Sequence, residues 1–503
     1  MRNSQISKYI HGATIWAALG LVAFLAPISD GETKPFDKAA WLQDYQNLKS
    51  ALERSYSNLA WFASPQGNVD LPALNRRTLS ALHKAKDDED ATTAVLAFVA
   101  AFHDGHFSRL ADLEPASVVK TTPLPDFPYR RDQPKAGCAA LGFSPQDVMA
   151  FSLPFESLPS FHLIAEGEGQ PFRAGILSTE NHTQIGMVRI AQFGTSRYPA
   201  LCEAAWEGVW DEHDKPRLNV LWDAVEAKWY ESIANLLKQF KAAGVDAILL
   251  DVSSNPGGDD SGDMSTRLFT NVPMHSAALL MSQDRAAASA YFEEELHDLR
   301  RAGDDQPDST AKMLIDQQTA YFLHGQSKLV SPCSMSWVWK ERRDWNTNPC
   351  RRLIPAGSAG GPLDYLKPGE IQDVRIARRL HWPAKYARLW STWTGPVYVL
   401  VNSLTYSSAE MFAAVLQNNH AANIIGTRTG GDGCGFMDNA PPVTLPHSQL
   451  RFRIPNCVRL RADGSDEVAG VSPDLPVRER DGETSRARAY RVLETIQTNL
   501  KPQ

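Results

Sequence analysis

With 503 residues, 43% hydrophobic and 22% charged, the chain is globular in composition and long enough for two or three domains, which excludes a disordered or fibrous polypeptide. The net charge is −7 and the basic residues are scattered, which excludes both the footprint of a nucleic-acid partner and the polybasic runs that bind anionic membranes.

Arg2 and Lys8 precede a stretch from Ile10 to Ser29 that is mostly apolar and small, and the polar segment Asp30 to Lys34 follows. This is the layout of an export signal, leading to the periplasm or to secretion. Ile10 to Ile28 is also long enough to span a bilayer and no A-x-A cleavage site is visible, so a membrane tether stands beside a cleaved signal. Residues 1–29 are set apart from the fold in either case. Cys138, Cys202, Cys333, Cys350, Cys434 and Cys457 all lie beyond that segment, and an even number in an exported chain fits disulfides. Six thiols allow fifteen connectivities. Sequence-near pairs are expected, Cys434 with Cys457 first. The spacings lack the C-x₂-C geometry of zinc sites, so neither a metal nor a cofactor is expected.

Ala39 to Tyr56, Leu71 to Ala85 and Ala91 to Phe102 carry helical periodicity, which makes 36–115 a small helical domain. It ends in HDGHFSRL, where Gly105 breaks the helix and His106 begins an extended segment. A histidine at such a junction is ordinarily a surface or core residue, and needs partners elsewhere to be read as a base. Residues 116–185 are rich in Pro and Gly and read as a small β-rich linker region. Within it Ala140-Leu141-Gly142-Phe143 is similar to the carboxylate-binding loop of PDZ domains, against an ordinary strand and turn.

Gly186 to Phe193 reads as a strand, and Val220 to Ala243 as a long helix leading into the apolar strand Ala247 to Val252. Helix followed by a fully apolar strand predicts a buried, mainly parallel sheet covered by helices, an α/β fold with 186–260 as its first half. The strand runs into SSNPGGDDSGD, where Gly257 and Gly258 serve either a tight loop or a backbone amide brought close to a ligand oxygen. Residues 261–389 form an excursion, an insertion or lid, with helices at Ala286 to Arg301 and Ser309 to His324. Its Trp337, Trp339 and Trp345, bracketed by Cys333 and Cys350, either line a groove or pack the insertion's own core.

The sheet resumes in 390–480 with Val397 to Val401, followed by SLTYSSAEMFAAVLQNNHAANIIGTRTGG from Ser403, which describes strand, helix and strand. Ser407 with Glu410 reads as a capping box, and Met411, Phe412, Val415 and Leu416 recur at helical spacing. Ser407 is then either the cap of a core helix or a nucleophile at a positive helix end. Val443 to Leu445, Leu450 to Ile454 and Val458 to Leu460 read as hairpin strands, and Glu467 to Asp474 as turns. Residues 481–503 hold a closing helix, Ser485 to Leu500.

Four ordered segments together resemble the serine peptidases that include the C-terminal-processing (tail-specific) proteases and the tricorn core protease. They are DGH at Asp104 to His106, LLDVSSNPGG at Leu249 to Gly258, VNSLTYSSAE through GTRTGG at Val401 to Gly431, and EVAGVSPD at Glu467 to Asp474. The resemblance implies a helical domain joined to a crotonase- or ClpP-like ββα catalytic core with a large inserted subdomain, and a polypeptide substrate. It makes Ser407 the nucleophile. In the processing branch a lysine follows in a TFGKG-like turn; here the turn is TGGDG, with Asp432 in that place. A carboxylate does not replace a lysine-type base without a strongly raised pKa. The histidine-containing, tricorn-like branch implies His106 as base and Glu467 as the carboxylate that orients it, although Gly105 stands where tricorn has a serine.

By the same resemblance, the amides of Ser408 and of Gly257 or Gly258 form the oxyanion hole. A catalytically inactive peptidase-like scaffold, binding peptides or small apolar ligands, is the alternative. A crotonase-like acyl-CoA enzyme would share the core, but export argues against it.

Overall fold

The computed structural model describes residues 35–67, 69–111, 129–145, 150–179, 181–329, 333–437 and 441–500. The segment read as a signal or anchor lies outside them. The three long helices of the first domain, α1 (Lys38–Ser55), α2 (Leu71–Lys84) and α3 (Asp88–Ala100), each begin behind an aspartate. Asp37, Asp70 and Asp87 accept backbone N–H bonds from Ala40, Ala73 and Asp90 at 2.8–3.0 Å, satisfying donors that a helix start leaves open. Their apolar faces, with Tyr45, Leu48, Leu52 and Phe98, close over Phe102 and Phe107. The chain then passes His106 into β1 (Ser108–Leu110).

The central sheet has seven strands: β2 (Phe161–Glu166), β3 (Arg173–Ser178), β4 (Gln184–Arg189), β5 (Ala247–Asp251), β8 (Val397–Val401), β9 (Asn423–Gly426) and β13 (Leu475–Pro476). Their order is β13-β9-β8-β5-β4-β3-β2, parallel from β13 to β4 and antiparallel from β4 to β2. Residues 161–178, assigned from sequence to a linker region, are thus the outer strands of this sheet. Ala140 to Phe143 ends a short helix, Pro134–Ala140, in a turn, and Cys138 is tied to Cys202, so the PDZ-like reading has no strand to stand on. Every residue of β5 and β8 is buried, as expected for parallel strands covered on both faces. One face carries α4 (Leu218–Ala242) and α7 (Ser408–Asn418), and the other carries α8 (Ser485–Leu500).

Between β5 and β8 the insertion builds β6 (Ala278–Ser282), β7 (Leu353–Ser358), α5 (Arg285–Asp304) and α6 (Ser309–Gln326) around its own core of Met281, Phe292, Phe322 and Ile354. Its sheet is completed by β12 (Cys457–Arg459), in the order β12-β6-β7. β10 (Val443–Thr444) pairs with β11 (Arg451–Arg453), and β11 with β1, so the three strands expected as hairpins divide between two sheets. The tryptophans of the insertion pack neither a groove nor their own core. Trp337, Trp339 and Trp345 join the core of the helical domain, Trp345 meeting Trp61 edge-on at 5.4 Å. Cys333–Cys350 closes this piece into a compact loop, and Arg342 Nη2 anchors it by donating to the carbonyls of Ser64 and Gly67 at 2.6 and 2.7 Å. Among the described residues no helix is long and apolar enough to cross a membrane.

Candidate active site

Ser407 stands at the corner between β8 and α7 with φ 52° and ψ −118°, a left-handed backbone that costs a non-glycine residue about 1–3 kcal/mol unless its surroundings hold it. They do so through its N–H. Asp432 Oδ1 accepts from Ser407 N at 2.7 Å, and Glu410 Oε2, three residues along the helix, lies at 3.3 Å from the same nitrogen. Ser408 Oγ is spent on the carbonyl of Asp259, whereas among the described residues no protein acceptor takes the hydroxyl of Ser407.

The Gly-Gly loop lies against this corner. A Cβ on Gly257 would fall 2.6 Å from Ser407 Cβ and 2.9 Å from Ser408 N, so only glycine lets the two backbones approach. Asn255 sets the loop, donating from Nδ2 to Ile190 O at 2.9 Å and accepting at Oδ1 from Gly257 N at 2.8 Å. The Gly257 amide is therefore occupied. Among the described residues no protein acceptor is recorded for the amides of Gly258 and Ser408.

His106 reaches the same place from the end of the helical domain. Its Nδ1 lies 2.8 Å from the carbonyl oxygen of Asp432. A carbonyl only accepts, so Nδ1 carries the proton, and the lone pair of the neutral ring is on Nε2. The Asp432 and Asp104 carboxylates stand 3.6 and 3.9 Å from Nδ1. Asp104, buried, also accepts the N–H of His106 at 2.9 Å and the hydroxyl of Tyr56 at 2.7 Å. The ring lies on Gly435, whose Cβ, if present, would be 2.8 Å from Cδ2 and Nε2. The disulfide Cys434–Cys457 holds that turn to β12.

Glu467 is not among the groups around the imidazole. Its Oε1 is taken by Arg459, from Nη2 at 2.6 Å and Nε at 2.9 Å, and both residues are buried. The resemblance gave this carboxylate the task of orienting the imidazole or its water network, and the direct contact is the one the structure does not make; Oε2 is buried with no hydrogen-bond partner among the described residues. A buried guanidinium with two donors aimed at the carboxylate claims it instead. Sequence reasoning passed over Arg459, which carries no motif, and over Asp104, whose place in DGH beside His106 was the available signal.

The site is strongly acidic. Burial, then the neighbouring Asp432 carboxyl, pushes Glu410 well above the usual carboxylate range. Asp432 is raised to about 6 by burial, offset in part by its bonds to Glu410 and to the Ser407 N–H. Two carboxyls meeting on one N–H do not both ionise readily. Among the described residues no group of three His, Cys, Asp or Glu is arranged to hold a metal.

The family model for peptidase family S41 matches residues 184–477, more than half of the chain. The chain belongs to peptidase family S41. A Chlamydia pneumoniae protein is 23% identical over 360 residues, 68% of this S41 chain and 48% of the relative. An uncharacterized Chlamydia muridarum (strain MoPn / Nigg) protein is 36% identical over 92 residues, 17% of this chain and 14% of that one. The chain thus matches about half, or less, of the length of these relatives. Mature CPAF complexed with lactacystin aligns with TM-score 0.56 at 14% identity, covering 92% of this chain and 98% of that one. Mature CPAF aligns at 0.53 with 14% identity over 92% and 99%. At such identity the likeness is one of fold, and it spans the helical domain, core and insertion together.

Proposed function

We propose that this S41 chain is an exported serine peptidase in which Ser407 attacks the scissile carbonyl and His106 is the general base. One observation carries the reading: Asp432 accepts from the Ser407 N–H through its side chain and from His106 Nδ1 through its carbonyl, so nucleophile and base are held by one residue. With Nδ1 protonated, Nε2 takes the proton of the serine hydroxyl and returns it to the leaving amine. The imidazolium formed in between is stabilised by Asp432 and Asp104.

Charge on the tetrahedral oxygen falls to the amides of Ser408, at the helix N-terminus, and Gly258, since Gly257 N is engaged and serves to bring the loop close. Of the expected Ser-His-Glu set, Glu467 enters this reading as the partner of Arg459. Membership in a peptidase family supports a polypeptide substrate. Three disulfides support export to an oxidising compartment.

The test is active-site labelling. A fluorophosphonate probe is expected to modify the wild-type protein and to leave Ser407→Ala unmodified, with His106→Ala slowed by at least about 10³-fold. Folded wild-type protein that takes no label would turn the reading towards a peptide-binding scaffold.

A further inference from the structure

We propose that Arg459, joined to Glu467, is a positioning residue that clamps the nucleophile to the turn carrying the base, and that Glu467 acts on the site through Arg459 rather than on His106. The inference rests on the reading of Ser407 as nucleophile. Arg459 lies on β12, 52 residues from Ser407 in sequence. Its Nη2 donates to the carbonyl of Ser407 at 3.1 Å, to the carbonyl of Gly433 at 2.9 Å and to Glu467 Oε1 at 2.6 Å. The first acceptor belongs to the nucleophile. The second belongs to the residue after Asp432, whose own carbonyl receives the Nδ1 proton of His106.

These bonds complete the hold on Ser407. Its N–H is fixed by Asp432 and Glu410, and its carbonyl by Arg459 together with the first helical bond, from Met411 N at 3.0 Å. With both peptide units tied, the left-handed backbone of the nucleophile is held in place. Glu467 then has a plain task. It is fully buried beside a guanidinium, keeps that cation neutralised, and by taking Nε and Nη2 on Oε1 turns Nη2 towards the two carbonyls. β12 is itself anchored next door by Cys457 to Cys434, so clamp and disulfide hold the same turn.

Lysine at 459 would present a point charge without the fork and reach fewer of the three acceptors. Methionine would fill the space, leave Glu467 buried and unpaired, and free both carbonyls. Displacement of a reacting group by about 1 Å is enough to cost about 10²-fold in rate.

The experiment measures the maximal fluorophosphonate labelling rate, the half-saturating probe concentration and the pH profile. The proteins are wild type, Ser407→Ala, Arg459→Lys, Arg459→Met, Glu467→Gln and the Arg459→Met/Glu467→Gln double variant, each checked for folding by circular dichroism. The clamp predicts a maximal rate lowered about 10²-fold in Arg459→Met, partly recovered in Arg459→Lys, with half-saturation changed by less than about twofold. The double variant should be no slower than Arg459→Met alone, because the two residues act as one unit. Glu467→Gln should leave the acid limb of the profile in place, since the carboxylates facing the ring are Asp104 and Asp432.

A multiplicative loss in the double variant, a shifted acid limb in Glu467→Gln, or wild-type labelling in Arg459→Met would overturn the clamp. Should Arg459→Met not fold, Arg459→Lys and the Glu467→Gln profile decide. If Ser407→Ala labels like wild type, or wild type not at all, the nucleophile assignment itself fails and the clamp with it. That result is distinct from a Ser407-dependent reaction indifferent to residue 459.

Discussion

The corner at 402–411 and the turn at 431–436 face each other across the site but are held by different kinds of contact. In the corner the path of the chain is set by bonds between near neighbours: Thr405 N to Asn402 O, Ala409 N to Tyr406 O, Met411 N to Ser407 O, and Glu410 on the N–H of Ser407. Distant groups then fix it in place: Asn255 O on Tyr406 N, Asp259 O on Ser408 Oγ, and Asp432 and Arg459 on the two peptide groups of Ser407. The turn is held from far away. Glu410 takes the amides of Gly431 and Asp432, Arg459 takes the carbonyl of Gly433, Cys457 binds Cys434, and the His106 ring rests on Gly435. Local bonds thus shape the corner that presents the nucleophile, whereas the turn behind the base takes its shape from α7, β12 and the His106 segment arriving together. Damage to the turn should therefore impair the geometry of the base and loosen the Asp432 bond to Ser407 N, while leaving the local path of the corner in place.

The largest effect should come from closing the gap between corner and oxyanion loop. Gly257→Ala places a methyl 2.6 Å from Ser407 Cβ at a residue with φ 100°, and labelling should slow by about 10²–10³-fold, the loss expected when the neighbouring Gly258 amide is pushed off the oxyanion. A rate within threefold of wild type would show that the loop is not needed at this distance. Gly435→Ala tests the turn in the same way, pushing on the imidazole at a residue with φ 75°. A loss of about 10²-fold with near-native thermal stability is expected; unfolding instead would mean that turn and fold are not separable.

Removing the Cys434–Cys457 crosslink, whose cysteines are 23 residues apart, should lower unfolding free energy by roughly 3 kcal/mol. Labelling should fall more than after loss of Cys333–Cys350, which lies in the core of the helical domain. Equal losses of activity in denaturation-matched samples would erase the contrast drawn here.

The smallest effect is electrostatic. Asp432 is raised from 3.8 to about 6 in the folded chain, so the folded state keeps a proton that the unfolded chain releases. The stability this contributes is fully present below about pH 4 and is lost as pH rises through about 6. The slope is at most about 1.4 kcal/mol per pH unit, and Asp432→Asn should flatten it in urea melts taken across that range. An unchanged slope would place the titrating carboxyl elsewhere in the acidic cluster.

The contrast between corner and turn is also the contrast between what could and could not be read. From residue patterns alone came the helices of the first domain, the apolar strands β5 and β8, the serine corner with its capping glutamate, the glycine loop and the disulfide between Cys434 and Cys457. Each rests on periodicity, a cap, a φ preference or a short sequence separation, forces that act over a few residues and so leave a local trace. The destination of the tryptophan piece, the division of the 443–460 strands between two sheets, the meeting of His106 with Asp432 across 326 residues and the capture of Glu467 by Arg459 were decided only in the folded chain. These depend on which buried charge finds which partner once distant segments pack, and a lone arginine in a three-residue strand carries no period or motif that announces its partners.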